Sequence, residues 1–422
     1  MNQKIDKLKV NLQRMGAVAL ASWAVAVPAF AEEPAAAAPA EAAATESPAD
    51  APVEKTVADV AGEIEGLQET VTELKGIIEP MTKLKFSGYI QGRFEYHQDS
   101  LDAGQSASGK PGVTNQFQVR RGRLKATYGS QYTEFVLETD ASASGLSLKD
   151  AEASLIEPWT GLGLKLTAGQ FKYPFGYSTP QSDSVAEMTE KPLAIRKLFP
   201  GDRDRGARLS GKWKFLNLAL AVVNGNGTQD SSSMVGVSNS GNDNTAFKDI
   251  LGRVGVDFEW IVAGVSFYSG KTANATLLKG ITADPKATPP VVGTPDTFPL
   301  TFFDKTRFGA DLQLYYDVPH VGGIAVKGEY IQGTEAGNDF AGWYGLVRQN
   351  IGDKWGAFVR VDQYDPNTNK DNDDTTTVGG GVHFYPDGHA KISAVYEHPM
   401  SKNASLADPR DDVLTLQLQG MF

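Results

Sequence analysis

The segment VLTLQLQGMF places Leu414, Leu416, Leu418, Gly420 and Phe422 on one parity and Thr415, Gln417 and Gln419 on the other. Such alternation describes a strand with one apolar and one wet face. The same period of two opens at LKFSGYIQGRFEYH, where Leu84, Phe86, Ile90, Phe94 and Tyr96 oppose Lys85, Gln91, Arg93, Glu95 and His97. Sixteen such segments are predicted, near 84–97, 115–129, 131–140, 146–157, 162–173, 203–214, 216–224, 249–260, 262–270, 304–317, 322–333, 339–351, 355–364, 375–386, 389–399 and 411–422. Their connections alternate between short turns, as at Gly129-Ser130 and Pro386-Asp387-Gly388, and long polar loops, as at 98–114, 174–202, 225–248 and 271–303. Short turns on one rim and long loops on the other are expected of an all-β transmembrane barrel of 16 antiparallel strands.

A soluble sandwich also alternates, so tryptophan placement matters. Trp159, Trp213, Trp260 and Trp355 all fall at or beside short turns, as an interfacial aromatic belt requires, and only Trp343 departs. A strand inside a membrane leaves no backbone edge unpaired, so the last strand is expected to close against the first, with Phe422 on the lipid-facing side.

Upstream of 84 the period is different. Val57, Val60, Ile64, Leu67, Val71, Leu74, Ile78 and Met81 recur at spacings of three and four, which predicts a coiled-coil helix over 54–83. A single amphipathic helix lying on a domain is the alternative, and dimer and trimer remain open. Residues 32–53 are rich in Ala, Pro and Glu and predict an extended linker. Residues 1–31 carry Lys4, Lys7, Lys9 and Arg14 before an apolar run that ends in Ala29-Phe30-Ala31, the pattern of a secretory signal. The barrel is assigned to 84–422.

Composition narrows the function. The chain lacks cysteine and has a net charge of −11, which becomes −14 without the signal, so nucleic-acid binding is not expected. Five histidines, His97, His320, His383, His389 and His398, form no Ser/His/Asp pattern; neither an enzyme, nor a cofactor, nor a metal is expected, and His383 and His389 are placed at the rim. Sixteen strands enclose a lumen too wide for side chains to fill. Loop 174–202 is the candidate to fold inward, because Lys191, Arg196, Lys197, Arg203 and Arg205 concentrate positive charge there. A loop facing lipopolysaccharide, or arginines paired with Asp202 and Asp204, are the alternatives. Arg123 and Lys125 share lumen-facing parity. Phe117 and Val119 share it too, so a bulge near Arg121-Gly122 or a rim position is implied. Glu95, Glu134, Glu138, Asp150, Glu152, Asp257 and Glu259 also have inward parity, so ions of either sign remain possible.

VRRGRLKATYG (119–129), LKLTAGQFKYPFG (164–176), FPGDRDRGARLSG (199–211) and the terminal strand resemble the phosphate-selective porin family of O and P type. The resemblance implies a homotrimeric outer-membrane channel for small anions such as phosphate, narrowed by its third long loop. It implies pore-lining roles for Arg121, Arg123, Lys125, Lys191, Arg196, Lys197, Arg203 and Arg205, with Arg120, Lys172 and Arg208 as further motif positions. Tyr177 and Glu190-Lys191-Pro192 depart from the family pattern, which weakens phosphate in particular. A general or cation-preferring porin is the alternative reading. In that alternative the coiled coil also acts as a tether, for which peptidoglycan or a periplasmic protein is the expected partner.

Overall fold

The computed structural model describes residues 67–76, 82–97, 115–142, 145–228, 246–275, 300–401 and 412–422. The predicted signal, the predicted linker, most of the heptad segment and the outer parts of several long loops lie outside the described residues. Within the heptad segment, 67–76 is helical (α1) and leaves Leu67, Val71 and Leu74 exposed.

Sixteen antiparallel strands close into one barrel: β1 (Leu84–His97), β2 (Asn115–Gly129), β3 (Thr133–Ser142), β4 (Gly145–Ile156), β5 (Lys165–Lys172), β6 (Arg203–Trp213), β7 (Leu216–Val223), β8 (Asp249–Asp257), β9 (Ile261–Ala275), β10 (Leu300–Val318), β11 (Gly322–Glu335), β12 (Asn338–Ile351), β13 (Trp355–Asp365), β14 (Thr375–Phe384), β15 (Ala390–Ser401) and β16 (Val413–Met421). Each predicted segment corresponds to one strand. The β9–β10 hairpin runs further than expected, because its pairing continues out to Leu300 opposite Ala275. Glu259 falls in the tight turn before β9 rather than on an inward strand position.

Apolar side chains cover the outside, as Leu414, Leu416 and Leu418 of β16 and Ile90 of β1 show. Polar partners meet inside, as where Gln91 Nε2 donates to Gln419 Oε1 at 2.7 Å. Trp159, Trp213, Trp260 and Trp355 are exposed at the short-turn rim. Trp343 also faces outward, but toward the other rim, with Tyr330 directly across from it on β11. Among the described residues no helix is long and apolar enough to cross a membrane.

The seam answers to one glycine. Gly88 N–H donates to Phe422 O at 2.9 Å and Phe422 N–H donates to Gly88 O at 3.1 Å. A Cβ on Gly88 would sit 2.6 Å from Cζ of the Phe422 ring, so the closing aromatic rests where a side chain is missing. Replacing Gly88 by valine, or deleting Phe422, is expected to cut the yield of heat-modifiable barrel. Wild-type yield from both variants would show that the seam does not govern closure.

Candidate functional site

On the inner wall from β2 to β6, strand irregularities turn extra charge inward. In β2, Phe117 and Val119 face out while Arg121 and Arg123 are buried inside, so the parity inverts near Arg121 as the sequence implies and Arg120 and Arg121 both point in. Between β3 and β4 the register slips at Leu137/Thr139. There Lys149 and Asp150 are both directed inward, toward Asp140 and Arg203 respectively. Gln170 Nε2 donates to the carbonyls of Leu148 at 3.0 Å and Lys149 at 2.6 Å, satisfying backbone that the slip leaves unpaired. At the start of β6 Arg203 and Asp204 are both buried.

The loop from Tyr173 to Asp202 leaves this wall and is fastened to the strands opposite. Gly176 N–H donates to Ser266 Oγ of β9 and Ser178 N–H to Glu329 of β11. Lys391 Nζ of β15 reaches the carbonyls of Ser184 and Ala186, and Gln419 of β16 reaches Ser184 O. Its short helix α2 (Leu193–Leu198), not foreseen from the sequence, starts with Leu193 N–H donating to Asp362 of β13. Phe175, Ile195, Leu198 and Phe199 pack with Tyr268, Ile331 and Phe340 of the wall, and Met188 packs with Tyr344, Leu346, Phe358 and Val395. The barrel's apolar core therefore lies where loop meets wall.

Three loop carboxylates complete the attachment. Asp183 pairs with Arg121 Nε at 3.3 Å and Arg123 Nη2 at 2.9 Å. Glu187 pairs with Lys327 at 2.6 Å and Arg348 at 3.8 Å. Glu190 receives Arg93 and Arg120, each at 2.9 Å, and Arg121 at 3.1 Å. Burial alone would raise the pKa of Glu190, but Arg121, Arg120 and Arg93 outweigh it and hold the carboxyl at about 2. Against the same burial, Arg121, Lys191 and Arg123 hold Asp183 far below the usual carboxylate range.

These contacts sort the residues singled out in the sequence. Arg121 and Arg123 bind loop acids, and Arg123 also meets Glu138 and Asp140. Arg203 binds Asp150 at 2.5 Å and Glu138 at 3.1 Å, and Lys191 binds Asp202 at 2.7 Å. Arg208 binds Glu152, and Lys172 donates to the carbonyls of Pro180 and Gln181. Pairing with Asp202 thus involves Lys191, while Asp204 is held by Tyr173 Oη and the N–H groups of Arg205 and Gly225. Arg205 is half-buried at the loop's return. Lys125 is half-buried on β2, and Arg196 and Lys197 are exposed on α2; none of these three has an ion pair among the described residues. Arg93 and Arg360 were not singled out in the sequence, although Arg93 has the inward parity that identifies Arg123.

His383 is the penultimate residue of β14, beside the short turn at 385–389. It is buried on the inner face, where Nδ1 lies 2.9 Å from Ser393 Oγ and the ring stacks on Phe358.

No protein-family model and no curated protein sequence matches the chain. Solved structures do. An anion-selective porin from Comamonas acidovorans superposes with a TM-score of 0.55 at 13% identity, covering 80% of this chain and 99% of that one. OprB of Pseudomonas putida gives 0.54 at 10% identity, covering 82% and 96%. The outer-membrane channel DcaP of Acinetobacter baumannii gives 0.52 at 11% identity, covering 80% and 97%. The barrel has the porin fold. At these identities the likeness extends to architecture alone.

Proposed function

We propose that the chain is a bacterial outer-membrane porin, a water-filled channel for passive diffusion of small hydrophilic solutes with a preference for anions. The loop from Tyr173 to Asp202 is its constriction, and the short-turn rim faces the periplasm. The preference rests on one observation: most inward acids are already bound to arginine or lysine, whereas Lys125, Arg196 and Lys197 make no direct ion pair among the described residues. Guanidinium and ammonium groups in a narrow passage raise local anion concentration. The motif arginines Arg121, Arg123 and Arg203 already serve carboxylates, which supports anions in general over phosphate in particular. That neutralisation also favours a second reading, a general diffusion porin of weak selectivity.

Homotrimer assembly and contact of the long loops with lipopolysaccharide belong to this proposal. So does a periplasmic coiled coil that includes α1, whose exposed Leu67, Val71 and Leu74 would pair copies or hold peptidoglycan or a periplasmic protein.

The test is a reversal potential across a planar bilayer in a KCl gradient, repeated in potassium phosphate. Wild type is expected to prefer anions, and replacing Lys125, Arg196 and Lys197 by alanine is expected to remove that preference. A potential near zero or on the cation side for wild type would establish the general porin instead.

A further inference from the structure

Glu190 receives more donors than its charge requires. Its Oε1 accepts from Arg93 Nη1 at 2.9 Å and Arg120 Nε at 2.9 Å, and its Oε2 accepts from Arg120 Nη2 at 3.2 Å and Arg121 Nη2 at 3.1 Å. Two oxygens with two charged donors each is the coordination that a free oxyanion takes from arginines. Two of the three guanidiniums also meet a second carboxylate. Glu95 sits on Arg93 at 2.6 Å, and Asp183 reaches Arg121 at 3.3 Å but is shared with Arg123 at 2.9 Å.

We propose that Arg93, Arg120 and Arg121 form an oxyanion-binding site whose resident ligand is the loop's own Glu190 carboxylate, exchangeable for a soluble tetrahedral oxyanion such as phosphate. Three observations carry this beyond an ordinary ion pair. First, two of the three arginines are held by groups other than Glu190. Arg93 Nε and Nη2 donate to Gln417 Oε1 at 3.1 and 3.0 Å, and Arg121 Nη1 donates to Gln91 Oε1 at 3.1 Å. Arg93 and Arg121 therefore keep their places when the carboxylate leaves, and Arg120, whose hydrogen bonds both go to Glu190, is left to the incoming anion. Second, the site meets solvent: the side chain of Arg120 is 37% exposed and that of Glu190 is 20% exposed. Third, Glu190 can leave by side-chain rotation alone, because Arg360 Nη1 holds its backbone oxygen at 2.7 Å and Leu193 N–H stays on Asp362.

The loop thus carries a tethered competitor for the anions it meets. A tethered ligand acts at high effective concentration, so wild type holds a soluble anion weakly and releases it, as conduction demands. The inference deepens the proposed channel function, on which the anion's route to the cage rests.

Equilibrium dialysis of inorganic phosphate against the full chain, folded in detergent, tests the cage without measuring current. Glu190→Gln keeps the side chain's shape and removes its charge. It is expected to bind phosphate about tenfold to a hundredfold more tightly than wild type, the range spanned by charge-assisted hydrogen bonds. Glu190→Ala, which empties the cage, is expected to show at least the same gain, and adding Arg120→Ala and Arg121→Ala to either is expected to abolish it. Folding of each variant is checked by heat-modifiability. Binding by both Glu190 variants no tighter than wild type, or a gain that survives loss of the two arginines, would overturn the cage. A wild type that conducts no ions would sink the channel reading and leave the dialysis result standing.

Discussion

Replacing Gly309 and Gly342 together by valine is expected to lift the loop off the wall, raising single-channel conductance and making the current noisy. Both glycines face inward and both are seats. A Cβ on Gly309 would lie 2.8 Å from the Phe175 ring, and one on Gly342 would lie 2.5 Å from Cβ of Ala194. Neither neighbour has room to yield, since Phe175 is fully buried and Ala194 rides on the backbone of α2. Overpacking of this kind costs about 1–3 kcal/mol at each site. Each substitution therefore shifts the ratio of seated to released loop by roughly fivefold to a hundredfold. The carboxylates Asp183, Glu187 and Glu190 oppose release, so the double variant is the informative one. The measurement is a planar-bilayer recording on heat-modifiable barrel, which confirms that β10 and β12 still pair. Wild-type conductance from the folded double variant would mean that the loop does not narrow the passage.

The parts legible in the sequence are those a membrane wall imposes. A lipid-facing side chain and a water-facing one must alternate, so each strand announced itself and even the parity break at Arg121 could be read from Phe117 and Val119. The β9–β10 extension was lost because its pairing lies between two segments, 271–275 and 300–303, that read as one long loop. Interior contacts obey no local rule. Arg93 and Glu190 are 97 residues apart, and Arg203 and Asp150 are 53 apart; nothing along the chain marks them as partners. Alpha2 is six residues long, with no repeat to reveal it. The positive charge of the loop region was visible, but which charges are cancelled was not, because cancellation depends on acids from β3, β4 and the loop's own middle. Glu190 stood out in the sequence only as a departure from the family pattern; in the folded chain it gathers three arginines.

That distinction between cancelled and uncancelled charge leads to the second large effect, at Arg203. Its side chain is 1% exposed, its Nε bonds Asp150 Oδ1 at 2.5 Å and its Nη2 bonds Glu138 Oε1 at 3.1 Å. Arg203→Ala strands Asp150 in the wall and leaves Glu138 with Arg123 alone, and breaking a buried pair by removing one partner costs about 3–5 kcal/mol. The expected result is a clear fall in the urea midpoint of the refolded barrel. Replacing the triad as a unit, Arg203→Met with Asp150→Asn and Glu138→Gln, is expected to recover most of that loss, since no unpaired charge remains. Lys125→Ala provides the contrast. Lys125 is half-buried and has no ion pair among the described residues, so its loss is expected to change stability by no more than about 0.5 kcal/mol while moving the reversal potential toward cations. If Arg203→Ala unfolds at the wild-type urea concentration, the ion pairs on this wall do not hold it together, and Arg203 returns to the set of charges available to a passing anion.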